Sequence, residues 1–417
     1  MEIKRNLYLN KLIDRRENGS IKVITGIRRS GKSYLLFHLF YHYLLQDGVP
    51  NDHIIRIALD DEEHEELLDS KALGAYIREQ LTDEDEYYIF LDEVQFVPGF
   101  EKVLNGLNRR SNLDIYVTGS NSKFLSSDIL TEFRGRGDEV RVYPLCFSEY
   151  VSAYNGSIQE AWADYFTYGG LPLILTRKTD EQKSNYLTDL FQKVYLTDIT
   201  ERNNLRGDTI MESLVNILAS SIGSLTNPSK LAHTFASNGM GNISDKTISS
   251  YINYLMDAFL ITKAERYDIK GKKYIASPFK YYFCDVGLRN ARLNFRQQEE
   301  NHIMENIIYN ELLVRDFHVD VGVVEHIEKT AEGKRTAKKY EIDFVCNRGS
   351  QRYYIQSAFS IPNQEKMQQE QRSLAYTGDF FKKIIIVKDT IKPWHNENGI
   401  LIMSIQDFLL NPNSLEF

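Results

Sequence analysis

Cysteine is scarce in this sequence. Cys146, Cys284 and Cys346 are the only three in 417 residues, and they lie far apart with no CxxC spacing. That excludes a disulfide framework and a zinc-finger type of site, and it fits a reducing compartment. Long apolar runs are missing too, since no stretch reaches the roughly 18 residues a membrane-crossing helix needs. The opening stretch MEIKRNLYLNKLIDRRENG lacks the apolar core of a signal peptide. A cytoplasmic chain with no membrane partner is the expectation. Positive charge is not in excess: 50 Lys+Arg against 58 Asp+Glu leaves a net −8. Wholesale coating of nucleic acid is therefore disfavoured, although one basic face is compatible with that total. Internal repeats and low-complexity linkers are absent as well.

Apolar side chains are plentiful, at 42% hydrophobic and 12% aromatic, which excludes disorder of the whole chain. A chain of 417 residues exceeds one ordinary core, so several domains are expected. From residue 21 to about 145, strand-like runs (IKVITG, HIIRIAL, YYIFLDE, LDIYVTGS, DEVRVYPL) alternate with helical ones such as YLLFHLFYHYLLQDG and GFEKVLNGLNRR. That alternation predicts an α/β fold, a doubly wound parallel sheet with helices on both faces. The acidic run DDEEHEE at 60–66 reads as a solvated loop or helix start rather than a metal cluster.

Beyond that the text changes character. Residues 147–206 read as a helical connector, broken at TYGGLPLIL. Residues 207–290 read as a helix, a short capped helix, a longer helix from Ser244 or Asp245, and a hairpin turning at IKGKK. Helix, turn, helix and a basic-tipped hairpin outline a winged helix. Residues 291–417 read as a small α/β domain, and the first domain is set at 1–146.

Gly26-Ile27-Arg28-Arg29-Ser30-Gly31-Lys32-Ser33 fits GxxxxGK[ST] at every fixed position, with a strand before it and a helix after it. The glycines let successive backbone N–H groups point at phosphate oxygens, and the helix start adds its positive end. Lys32 would reach the β- and γ-phosphates, and the Ser33 hydroxyl would ligate Mg2+. Tyr34, next in the helix, completes the expected nucleotide-binding set. A second apolar strand, YYIFLDEVQ, ends in Asp92-Glu93, the shape of a Walker B element. Asp92 would hold Mg2+ and Glu93 would polarise the attacking water. The following strand ends YVTGSNSKFL, where a γ-phosphate sensor would sit, with Ser120 and Asn121 preferred over Thr118. EFRGRGDEV offers Arg134 and Arg136, either as an arginine finger across a subunit interface or as a plain surface turn.

The order GIRRSGKS, IFLDEVQ, YVTGSNSKFL, GRGDEVRVYPLCFSEY, YGGLP resembles the prokaryotic AAA+ ATPases labelled simply "ATP-binding protein". The resemblance spans nearly the whole chain. It implies an AAA+ domain, then a winged helix, then a domain related to restriction-type nucleases. It also implies adenine nucleotide and a sheet in which the sensor strand separates the two Walker strands. No NKxD-type guanine reader follows a later strand.

For the winged helix, DNA would be met by Lys246 near the start of the recognition helix and by Lys270, Lys272 and Lys273 at the hairpin tip, as phosphate contacts. The same module could instead serve as a lid or a protein contact. In the tail, the restriction-type pattern asks for a helix Glu, a strand Asp and then Glu-x-Lys on the next strand, which together hold Mg2+. Glu305 and Asp343 match the first two, but Gln356 and Ala358 stand where Glu and Lys are needed. A fold that no longer cleaves is therefore expected, and Lys382 and Lys383 lie on another strand. The leading expectation is an Mg2+-dependent ATPase, possibly a homo-oligomer, coupling nucleotide state to domain rearrangement on DNA or a partner protein. The alternatives are a DNA-binding regulator using ATP as a conformational ligand, and an active nuclease.

Overall fold

A computed structural model describes residues 3–120, 133, 135–205, 209–239, 241–296, 299–329 and 335–417. Two units divide the chain: Met1–Pro144 with Leu171–Leu173 and Asp257–Phe259, and Leu145–Gly170 with Ile174–Met256 and Leu260–Phe417.

In the first unit the apolar runs become five strands: β1 Ile21–Thr25, β2 Ile54–Ala58, β3 Tyr87–Asp92, β4 Leu113–Gly119 and β5 Gly137–Arg141. They pair in parallel in the order β2-β3-β4-β1-β5, so the sensor strand does lie between the two Walker strands. Every residue of β1, β3 and β4 is buried, as both-face coverage requires. The helices are α1 Asn6–Ile13, α2, α3 Ser70–Glu79 and α4 Phe100–Leu107. Helix α2 joins Lys32–Tyr34, a wider π-type stretch Leu35–Phe40, and Tyr41–Gln46. Alternation along the strands sorts the core into two layers. Val23, Ile89, Leu91, Ile115 and Val117 pack on Leu73 and Ile77 of α3 and Leu104 of α4. Ile24, Phe90 and Tyr116 face Leu36, Phe40 and Leu44 of α2 and Leu12 of α1. The acidic run at 60–66 is mostly exposed and opens a short 3-10 helix, Glu62–Leu68, at which Asp61 accepts from Glu63 N.

Lys22, fully buried in β1, ion-pairs with Asp114 of β4. Tyr116 OH donates to the other oxygen of Asp114 at 2.8 Å. A buried ammonium is tolerable only when paired in this way.

The second unit opens with helices α5 Phe147–Ala153, α6 Ile158–Tyr168 and α7 Asp180–Leu190, the last prolonged through Phe191–Leu196 and Thr197–Arg202. Then come α8 Thr209–Ser220, α9 Pro228–Ser237 and α10 Asp245–Asp257. Ser244 caps α10 by accepting from Thr247 N at 3.1 Å, as the sequence predicts. The hairpin is β6 Ile261–Asp268 and β7 Lys273–Phe283, followed by α11 Val286–Arg292 and α12 Glu300–Val314. Strands β8 His318–Lys329, β9 Arg335–Arg348, β10 Gln351–Ala358, helix α13 Gln364–Ala375, strands β11 Lys382–Val387, β12 Trp394–His395 and β13 Leu401–Ser404, and helix α14 Ile405–Leu410 complete the chain.

One eight-stranded sheet takes the order β12-β13-β11-β10-β9-β8-β6-β7. The hairpin expected to stand as a separate wing is therefore the edge of the tail's own sheet. Strand β8, which the sequence reading did not place, supplies the bond: it pairs in parallel with β6, Arg266 opposite Val321 and Asp268 opposite Val323. The boundary expected at 290/291 falls inside α11.

The YGGLP stretch has a local explanation. Asp285 Oδ2 accepts from Gly170 N at 2.7 Å, and its Oδ1 caps α11 through Leu288 N at 3.0 Å. A Cβ on Gly169, at φ 73°, would fall 2.2 Å from Asp285 Oδ1, so only glycine admits the carboxylate here.

Candidate nucleotide site

The loop between β1 and α2 is shaped by three positive-φ residues: Gly26 at 138°, Arg29 at 67° and Gly31 at 95°. A Cβ on Gly26 would lie 2.0 Å from Val142 O, so the loop closes against the chain leaving β5 only because Gly26 has none. Ser30 N donates back to Ile27 O at 3.2 Å. Ile27 and Ser30 are buried, while Arg28 and Arg29, which the motif does not fix, are exposed. Lys32 folds over the loop and donates to Gly26 O at 3.1 Å and Ile27 O at 3.3 Å. Burial pulls its ammonium below the ordinary lysine value, and the nearby charges of Glu93 and Asp92 oppose that pull.

Register brings the second motif to the same edge of the sheet. Ile24 stands opposite Thr118 and Leu91 opposite Val117, so the ends of β1, β3 and β4 lie level. Asp92 is buried, which pushes its carboxyl up, while bonds from the Ser33 and Thr118 hydroxyls hold it down. Glu93 follows in the left-handed region at φ 49°, which turns its side chain away from the strand's alternation. Its N–H donates to Thr118 Oγ1 at 2.9 Å, and its carboxylate accepts from Gln95 Nε2. Ser33 and Asp92 together present the hard oxygen donors that suit Mg2+.

Tyr34 is partly exposed and stacks on His38 at 4.7 Å. Ser120 is buried one residue past β4. Asn121 and Arg134 lie outside the described residues. Arg136 is exposed, and its carbonyl accepts from Ile21 N at 2.7 Å. That places it at the start of β1, the end of the strand away from Gly26, so it does not belong to the site of its own chain.

One contributor ranked low in the sequence reading and another escaped it. Thr118 links both carboxylate residues although it ranked behind Ser120 and Asn121. Arg5, 3% exposed, donates from Nη1 to Ser30 O at 3.0 Å and from Nη2 to Tyr143 O at 2.7 Å, bracing the back of the loop. The available sign was an arginine directly before the helix-patterned run NLYLNKLI.

In the second unit, Glu305 of α12 and Asp343 of β9 do come together, and Ser357 N donates to Asp343 Oδ2 at 2.8 Å. Gln356 instead accepts from Ser373 Oγ at 3.5 Å, and Ala358 packs in an apolar cluster with Leu374 and Ile385. Lys382 donates to Phe417 O and Lys383 to Asp379 O at 2.9 Å, so neither reaches the pocket. Lys246, Lys270, Lys272 and Lys273 are exposed, with Lys270 donating to Glu325 O at 3.0 Å.

Residues 18–151 match the family described as "AAA domain", and residues 159–299 match a domain of unknown function, DUF8612. The glycine loop, the buried lysine and the paired carboxylates thus sit in a P-loop nucleotide-binding domain of the AAA class. An uncharacterized protein of Haemophilus influenzae is 34% identical over 415 residues, 98% of each chain, and this chain belongs to its family. Uncharacterized protein MJ1544 of Methanocaldococcus jannaschii is 28% identical over 362 residues, 83% of this chain and 76% of that one. Among solved structures, the Aeropyrum pernix ORC1 protein in complex with DNA superposes at a TM-score of 0.30 with 12% identity, over 70% of this chain and 92% of that chain. Among the described residues, no helix is long and apolar enough to cross a membrane.

Proposed function

We propose that this chain is a cytoplasmic, Mg2+-dependent ATPase whose nucleotide state drives rearrangement of the segments that follow the AAA domain. The observation that supports it is the convergence of Lys32, Ser33, Asp92 and Glu93 at one sheet edge, with Thr118 bonded to both carboxylate residues. Lys32 gives up its two loop carbonyls for β- and γ-phosphate oxygens, and the N–H groups at the start of α2 take the remaining phosphate charge. Ser33 and Asp92 would hold Mg2+, which supplies charge neutralisation at the phosphates. Glu93, released from Gln95, orients and polarises the attacking water. Ser120 and Asn121 are proposed as γ-phosphate sensors. Arg134 or Arg136 is proposed as a finger for a neighbouring copy, which makes the working form a homo-oligomer.

Residues 147–206 are proposed as the moving lid, and 207–290 and 291–417 as the parts that read the nucleotide state. The test is a pair of variants. Lys32→Ala is expected to weaken fluorescent-ATP binding by about 10- to 100-fold, the worth of lost charge-assisted hydrogen bonds. Glu93→Gln is expected to bind ATP normally and to release phosphate about 100-fold or more slowly. Unchanged phosphate release in Glu93→Gln sinks the assignment.

A second reading, a DNA-associated switch using ATP as a conformational ligand, is supported by the exposed Lys246, Lys270, Lys272 and Lys273. Binding to duplex DNA that weakens with salt, and whose salt slope drops when the three hairpin lysines become alanine, would favour it. Its absence at low salt, with and without ATP, rejects this reading.

A further inference from the structure

Strand β7 carries a single cation into the apolar end of the second unit's sheet, Lys280 in the run PFKYYF. Its side chain is 4% exposed, and three carboxylates surround it. Nζ lies 2.8 Å from Glu305 Oε1 on α12, 2.9 Å from Glu341 Oε1 and 3.8 Å from Asp343 Oδ1, both on β9. Tyr282 OH donates to the same Glu305 oxygen at 2.6 Å, and His302 Nδ1 stands 3.7 Å from Glu305 Oε2. Of these, Glu305 and Asp343 are the two positions that match the acidic residues a restriction-type centre would use for a divalent ion.

Hard divalent cations draw oxygens in to roughly 2.0–2.6 Å, whereas ammonium-to-carboxylate bonds settle near 2.7–2.9 Å. The two short separations here are ammonium distances. Among the described residues, no group of His, Cys, Asp and Glu is placed to hold a metal ion. Burial works against the charge of Lys280, yet Glu305, Asp343 and Glu341 hold its pKa above the ordinary lysine value. Glu305 resists its own burial through Lys280 and stays low, while burial and Glu305 push Asp343 up.

We propose that the Lys280 ammonium is the permanent cation of this pocket, standing where a divalent metal would stand and bolting β7 to α12 and β9. The missing Glu and Lys at Gln356 and Ala358 then have a counterpart: the pocket exchanged a metal for a side chain. This reading is independent of the nucleotide site.

The test is Mn2+ binding by the full-length protein without nucleotide, followed by calorimetric titration and by thermal unfolding with and without millimolar Mn2+. In the wild-type chain, Asp343→Asn is expected to leave the Mn2+ isotherm unchanged. Lys280→Met keeps the stem and removes the charge. It is expected to melt at lower temperature and to regain about 4 °C or more with Mn2+, a gain abolished by adding Asp343→Asn. An Mn2+ site in the wild-type chain that Asp343→Asn removes overturns the proposal, as does a folded Lys280→Met variant that gains nothing from Mn2+. If Lys280→Met does not fold in either condition, the wild-type comparison decides alone.

Discussion

The Thr118 hydroxyl donates its hydrogen to Asp92 Oδ1, and its own oxygen, Oγ1, accepts the N–H of Glu93 at 2.9 Å. One side chain on the neighbouring strand therefore fixes both the Asp92 carboxylate, proposed to hold Mg2+, and the backbone of Glu93, proposed to polarise water. Thr118→Val preserves shape but removes both bonds, leaving a buried N–H without its acceptor. At roughly 1–3 kcal/mol, the cost of such a loss, turnover should fall about 5- to 150-fold. Fluorescent-ADP affinity should change far less, because Lys32 and the loop are untouched. Parallel ADP titration and phosphate-release assays check this, and equal losses in both would show that Thr118 only supports the fold.

Arg5 braces the phosphate loop from behind through two carbonyls that point in different directions. A lysine has no fork with which to reach both. Arg5→Lys should weaken ATP binding about tenfold, the worth of one charge-assisted bond, with the melting temperature of the ligand-free protein lowered only slightly. Equilibrium titration beside a thermal scan separates the two effects.

Asp285 provides a pH dependence of defined sign. Burial pushes its carboxyl up to about 6, against three backbone N–H bonds that pull the other way. The unfolded chain ionises this group near 3.8. Its contribution is thus fully present below about pH 4 and is lost as pH rises to about 6, by up to ~3 kcal/mol. Asp285→Asn cannot titrate. Urea unfolding of both proteins across this range should show the wild type losing stability relative to the variant as pH climbs from 4 to 6, and a flat difference would refute it.

The first unit was legible because its elements are locally consistent. Each strand-like run of the sequence yielded a strand of five to seven residues, and the GxxxxGK[ST] pattern between a strand and a helix located the loop at Gly26 to Ser33. What escaped, or was ranked low, depends on contacts distant in sequence. Arg5 meets Ser30 only because α1 packs beside α2, and Thr118 meets Glu93 only through the parallel register of β3 and β4. Strand β8 was missed because HVDVGVVEHIEK interleaves charges and a glycine with valines. Gly322 is needed there: a Cβ would come within 2.8 Å of Val345. With β8 unseen, the hairpin looked free and read as a wing. Lys280, a charge inside PFKYYF, was the sign that this strand carried a buried pair.

The parallel bond between β6 and β8 also sets an order of events at the ribosome. Lys270 and Glu325, joined by a hydrogen bond in the finished sheet, are 55 positions apart. At synthesis rates of roughly 5–20 residues per second, the hairpin is made about 3 to 11 s before its neighbour. During that interval the edge of β6 offers unpaired N–H and C=O groups to any other strand. Chains ended between residues 290 and 317 and released from the ribosome should accordingly be the ones that chaperones retain and that aggregate, whereas released chains that include β8 escape.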